Sequence, residues 1–258
     1  MKTKPYAIAA ALAAAAVGAA FAWRALFQVM FLENPQFAIT DVVVTTGLAT
    51  TKEAVKTHTG ITEGVNIFSF SASKVSEDFL RVNKNVAEFT VRKTLPSKVE
   101  IIAIDREPVL RIGKSANAAD KNGLVVFVEE GLRRRLAYLP ILTNGDTPID
   151  VTPGGALAEG RAKDALAIAN AYQALQQGIS FKIAKIDISG EIYASIETAG
   201  PGTPRRIRMP WDEINGDASI RESLAMASRV LAHPRAASYS SFDILHNTHK
   251  VYGSTSWE

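Results

Sequence analysis

Apolar residues fill an unbroken run from Tyr6 to Trp23, with Lys2 and Lys4 before it and no charge inside it. A run of roughly 18 residues lies at the short end of what crosses a hydrocarbon core. Arg24 interrupts it, and Ala25 to Leu32 is apolar again. The pattern predicts a membrane-bound helix anchored by Tyr6, Ala7, Ile8, Leu12, Val17, Phe21 and Trp23. Arg24 then snorkels to the interface, with Trp23 beside it as an interfacial anchor. A cleaved secretory signal fits the same residues: a basic start, an apolar middle and small residues around Ala20, Phe21 and Ala22. Both readings place the chain after about residue 33 outside the cytoplasm, with the lysine-bearing end inside.

Beyond this run the apolar period shortens. Phe37 to Thr46 alternates and is β-branched, so it predicts a strand ending at Gly47. Thr50 or Thr51 caps a short helix through Thr57, closed by Gly60. Gly64 to Phe68 reads as a loop carrying apolar residues. Ser71 or Ser73 starts a second helix through Val82, with Val75, Phe79, Leu80 and Val82 as its buried face. Val86 to Lys93 and Lys98 to Asp105 are strands joined by a turn at Leu95 and Pro96. Strand, helix, helix, strand, strand is a compact α+β arrangement with two helices on one face of a small sheet.

Pro108 marks a break. Val109 to Ile112 and Leu124 to Val128 read as strands, the latter entered through a turn at Asp120 to Gly123. Leu139 to Leu142 is followed by a Gly-, Pro-, Asp- and Thr-rich loop. Ala156 to Gln177 predicts the longest helix after the N-terminal run, with Ala162, Leu166, Ala169, Tyr172 and Leu175 in phase and Gly178 at its end. Ile183 to Ile188, Ile192 to Thr198 and Arg205 to Met209 are strands. Ser219 to Ala232 is a helix, and Tyr239 to Leu245 and Lys250 to Gly253 are closing strands.

Composition adds exclusions. The chain has 258 residues and no cysteine, which rules out disulfides, thiol nucleophiles and thiolate zinc sites. A net charge of +3 is too small to argue for nucleic acid. His246 and His249 lie three apart in a turn-like stretch with Asp243 as the only nearby third ligand, a poor metal site. Asp105 and Glu107 flank Arg106, a spacing that favours ion pairing with Arg106 over acid–base work. Arg133 to Arg135, and Arg205, Arg206 and Arg208, are basic clusters whose first reading is a solvated edge or turn. No Gly-x-Ser-x-Gly elbow or phosphate loop occurs. Without an assembled polar pocket, no cofactor is expected. The chain reads as an interaction module whose sheet edges take partner strands.

The ordered set of segments resembles the FtsQ/DivIB bacterial cell-division proteins. It comprises the N-terminal anchor, Phe37 to Gly47, Thr59-Gly60-Ile61, Asn66 to Phe70, Val86 to Pro96, Val99-Glu100-Ile101 and Arg106 to Val109. Asp120 to Phe127, Leu139 to Thr143 and Phe242-Asp243-Ile244 continue the likeness. The resemblance implies an α+β chain in four parts. Residues 1–35 hold a short tail, an uncleaved transmembrane helix and a juxtamembrane segment; 36–108 form a POTRA domain; 109–253 form a mixed β domain with two helices; 254–258 are a tail.

It also implies a non-enzymatic, single-pass inner-membrane scaffold at the division site. Such a scaffold binds FtsB/FtsL-like proteins, acts with septal peptidoglycan synthase components, and leaves a homodimer open. In the family a partner strand adds to the last strand of the β domain, which corresponds to Asp243 through Gly253. Asp243, Leu245, His246, Thr248, Val251 and Tyr252 are therefore the expected contacts. Where the family often carries Arg and an aromatic, this chain has Leu245 and His246, so charge pairing is in question there while backbone pairing is not. The alternatives are a POTRA-containing outer-membrane assembly or secretion factor, or a periplasmic enzyme acting on cell-wall polymer.

Overall fold

A computed structural model describes residues 5–47, 50–128, 136–157, 160–175, 177–200, 203–214, 216–245 and 247–255, with side chains from residue 12 onward. The chain divides into two compact units, Met1–Asp105 and Arg106–Glu258.

Unit 1 opens with helix α1 (Pro5–Phe27), which passes through Arg24 without a break and ends in a π-helical turn, Gln28–Leu32. The stretch Leu12–Leu32 is long and apolar enough to cross a membrane, with a mean hydropathy of 1.5 and none of it buried. The strand expected from Phe37 begins later. Asn34 caps a single 3-10 turn, Pro35–Phe37, through Gln36 N–H, and strand β1 covers Asp41–Thr45. Helix α2 (Lys52–Thr59) starts where Thr51 accepts from Ala54 N–H and stops at Gly60, whose φ of 66° suits a residue without Cβ. Helix α3 (Ala72–Val82) is capped by Ser71. Strands β2 (Val86–Thr94) and β3 (Lys98–Asp105) follow.

The sheet order is β1-β3-β2, with β1 parallel and β2 antiparallel to β3. Val99, Ile101 and Ala103 alternate into the core beside Phe89 and Val91, and Ile104 faces out, as period two requires. Phe79 of α3 stacks on Phe89 at 3.9 Å between centroids. Val82, expected on the buried face, is 62% exposed. The chain turns at Asn83, so Val86 of β2 reaches the core instead.

Among the described residues, unit 2 is one nine-stranded sheet against two helices. Its strands are β4 (Pro108–Ile112), β5 (Asn117–Asp120), β6 (Val125–Phe127), β7 (Ile141–Thr143), β8 (Lys182–Asp187), β9 (Tyr193–Ala199), β10 (Arg206–Pro210), β11 (Ser241–Leu245) and β12 (Lys250–Ser254). The helices are α4 (Arg161–Leu175), which packs on β4, and α5 (Asp217–Leu231), which packs on β11. The strand order is β12-β11-β10-β9-β8-β7-β4-β5-β6.

Register builds the core. Ile112, Leu142, Ile186, Ile196, Ile207 and Phe242 are successive cross-strand partners. All six are 3% exposed or less, so one apolar row crosses six strands. Ala165, Ile168 and Ala169 of α4 and Ile220, Leu224 and Ala227 of α5 belong to the same core.

Two expectations change here. Strand β5 was not foreseen, because Asn-Ala-Ala-Asp lacks β-branched residues. Its place comes from Ala118 and Ala119, both fully buried, for which small size matters more than propensity. The helix expected from Ala156 starts at Arg161, because the segment before it is recruited to the sheet. Gly154 N–H donates to Val125 carbonyl, Val125 N–H to Gly155 carbonyl and Leu157 N–H to Gly123 carbonyl.

Arg106 pairs with Asp120 across the sheet at 2.9 Å. The same Asp120 carboxylate accepts Asn122 N–H and Leu124 N–H, which shapes the turn into β6. Arg133 to Arg135 lie outside the described residues. Arg208 is no solvated edge residue: it forms a two-point ion pair with Asp243 at 2.5 and 3.0 Å.

Candidate partner-binding edge

A sheet ends in two strands with one unpaired side each, and native proteins cover or blunt such edges. In unit 2 the β6 edge is covered by the residue 154–157 segment. At the other end, among the described residues, β12 pairs with β11 alone.

Hydrogen-bond parity shows which groups of β12 point outward. Arg206 N–H of β10 donates to Ser240 carbonyl, and Arg206 is the partner of Ser241. In a parallel pair this aims the backbone of Phe242 and Ile244 at β10, and that of Ser241, Asp243 and Leu245 at β12. Ser254, Tyr252 and Lys250, their partners on β12, point inward. The N–H and C=O groups of Val251 and Gly253 therefore face away from the sheet. They form an unpaired template of two donors and two acceptors.

The side chains divide by the same alternation. Val251 is half-buried against the core on the α5 face. Gly253 on that face lies under the ring of Tyr239, where a Cβ would come within 2.9 Å of ring carbons. Glycine at this position is what lets Tyr239 close down on the edge strand. The opposite face carries Tyr252, 53% exposed, and its cross-strand partner Asp243 with Arg208. Arg208 also lies 5.4 Å from the ring centroid of Tyr193.

A groove of about 400 Å³ runs beside the edge on the α5 face. Val230, Ala236, Phe242 and Val251 line its floor, with Arg229, His233 and Arg235 around it. Among the described residues the Arg229 and Arg235 guanidinium groups have no acidic partner. Sequence reading missed this groove, because its lining comes from four separate segments.

The residues expected at the contact thus fall into different settings. Val251 and Tyr252 lie on the open strand, whereas Asp243 and Leu245 lie on β11, whose two sides are occupied by β10 and β12. Asp243 is committed to Arg208. Thr248 is in the turn between them, its hydroxyl donating to Leu245 carbonyl at 3.4 Å, and His246 lies outside the described residues. The stretch Asp243 to Gly253, one strand in the family resemblance, is the two strands that the residue pattern predicts, because the turn at Thr248 and His249, with φ of 54° at His249, reverses the chain.

At the N-terminal helix, Leu12, Val17, Phe21 and Trp23 are exposed on α1, which also contains Tyr6, Ala7 and Ile8. Among the described residues, no three His, Asp or Glu side chains converge on a metal-sized site.

A family model described as POTRA domain, FtsQ-type, matches residues 37–102. No curated protein matches the chain. The matched interval holds β1, α2, α3, β2 and most of β3, in the strand-helix-helix-strand-strand order that the sequence pattern predicts. Residues 37–102 are therefore an FtsQ-type POTRA domain.

Proposed function

We propose that the chain is a membrane-anchored, non-enzymatic scaffold of the bacterial divisome. It holds FtsB/FtsL-like partners at the septum and links them to septal cell-wall synthesis. The observation that carries this reading is the open β12 edge, with outward Val251 and Gly253 backbone groups beside an apolar, cation-rimmed groove. An incoming strand pairs with the edge, one of its side chains enters the groove, and an acidic neighbour meets Arg229 or Arg235. Backbone pairing supplies affinity, and the groove with Tyr252 supplies selectivity.

Lys2 and Lys4 favour a cytoplasmic N-terminus, which puts the POTRA domain and unit 2 on the extracytoplasmic side of the inner membrane. A fluorescent fusion tests the reading: a band at mid-cell supports it, and uniform membrane fluorescence in dividing cells refutes it.

A further inference from the structure

The junction between α1 and the POTRA domain in unit 1 is a built joint rather than a flexible linker. Asn66 spans it. Its side-chain amide donates to the carbonyls of Phe31 and Leu32 at 2.8 and 2.9 Å. Its carbonyl oxygen accepts Phe68 N–H at 2.8 Å. These are terminal carbonyls of a helix that would otherwise lack partners. Around them four rings pack together: Phe27 on Phe31, Phe31 on Phe37 and Phe68, and Phe37 on Phe68, with centroids 5.0 to 5.7 Å apart. Phe31 and Leu32 are also the last residues of the stretch able to cross a membrane. The POTRA rings they touch therefore stand at the depth of the lipid–water interface.

Topology brings one more element to this end. β1 and β3 run parallel from it, with Asp41 opposite Lys98 at their starts. The β2–β3 turn at Leu95 and Pro96 therefore lies on the same end. Thr40 N–H donates to Ser97 carbonyl at 2.9 Å. Lys93 at the root of the turn donates to Phe70 carbonyl and sits 4.0 Å over the Phe70 ring, tying the turn to the loop that carries Phe68. Leu95 at its tip is 59% exposed. One exposed leucine is ordinary, but this one stands on the end that the joint holds to the membrane helix.

We infer that this end of the POTRA domain is a lipid-facing rim, with the Asn66–phenylalanine joint holding the domain down and Leu95 entering the headgroup layer. The inference rests on the membrane-anchored reading above. It makes α1 and the POTRA domain one lever, so a partner that tilts the helix also turns the domain.

The absence of cysteine makes the test clean, because one introduced cysteine takes a single environment-sensitive nitrobenzoxadiazole label. The full-length chain is reconstituted in vesicles containing lipid spin-labelled near the headgroup, or deep in the acyl chain. Leu95→Cys is compared with Val82→Cys, which is exposed at the far end of the domain, and with Val17→Cys within α1. The expected result is shallow quenching at 95 about twofold that at 82, the signature of interfacial burial. Phe31→Ser should bring quenching at 95 down to the level at 82 while 17 stays quenched by the deep label. Equal quenching at 95 and 82, with 17 quenched, overturns the rim. Undiminished quenching at 95 in the Phe31→Ser background overturns the role of the joint. An unquenched 17 overturns the membrane reading itself.

Discussion

Val251→Pro is the most direct probe of the open edge. Proline removes one N–H and places its ring where an incoming carbonyl must approach. Because Val251 N–H points away from β11, the internal ladder keeps all its bonds. A net backbone hydrogen bond contributes about 1 kcal/mol, and obstruction of the adjacent contact roughly doubles the loss. About 2 kcal/mol corresponds to a roughly thirtyfold rise in Kd. The assay titrates the full-length chain in nanodiscs with a purified FtsB/FtsL-like complex.

Tyr252→Pro serves as the counterpart. Its N–H faces Asp243, so it breaks the ladder and should lower Tm by about 5–10 °C, against about 2–4 °C or less for Val251→Pro. An unchanged Kd for Val251→Pro refutes edge pairing. Equal Tm losses in the two variants refute the parity assignment behind it.

Asp243→Ala should cost about 1–2 kcal/mol in denaturant unfolding, since it strands Arg208 in a setting only a quarter exposed; combining it with Arg208→Met should recover part of that. Phe79→Ala should destabilise the POTRA domain by about 3–5 kcal/mol, visible as rapid proteolysis within residues 37–102.

Burial pushes the Asp187 carboxyl upward, but hydrogen bonds from the Ser189 hydroxyl and N–H, the Thr143 hydroxyl and Gly145 N–H outweigh it and hold it below the usual range. A depressed folded value means that its stabilisation is complete above the unfolded value of about 4 and is lost as pH falls through the folded one. A Tm profile against pH should therefore lose part of its acid-side slope in Asp187→Asn. Arg229→Glu together with Arg235→Glu should weaken binding of an acidic partner at low salt and much less at high salt, with Tm unchanged.

The local elements were legible wherever a short-range rule decides them. Thr51, Ser71 and Gly60 bound α2 and α3 because capping depends on neighbours in sequence. Alternation in Val99, Ile101 and Ala103 chose the inner face of β3 because the pleat has period two. The ordered segments from Phe37 to Ile101 carried the POTRA resemblance for the same reason.

What remained hidden depends on contacts far apart in the chain. Propensity argues against a strand at Asn117–Asp120, and burial of Ala118 and Ala119 overrides it. Ala156 and Leu157 carry a helical pattern, yet hydrogen bonds near β6 claim them. The ion pair of Asp243 with Arg208 is likewise set by strands 35 residues apart in the chain. The sequence alone determined that an apolar helix precedes an FtsQ-type module and that the chain closes on β-strands. Only the tertiary structure decided that β12 is the open strand and that Val251 and Gly253 turn their backbone outward. An edge is a property of strand order, and strand order is set by which distant apolar rows align.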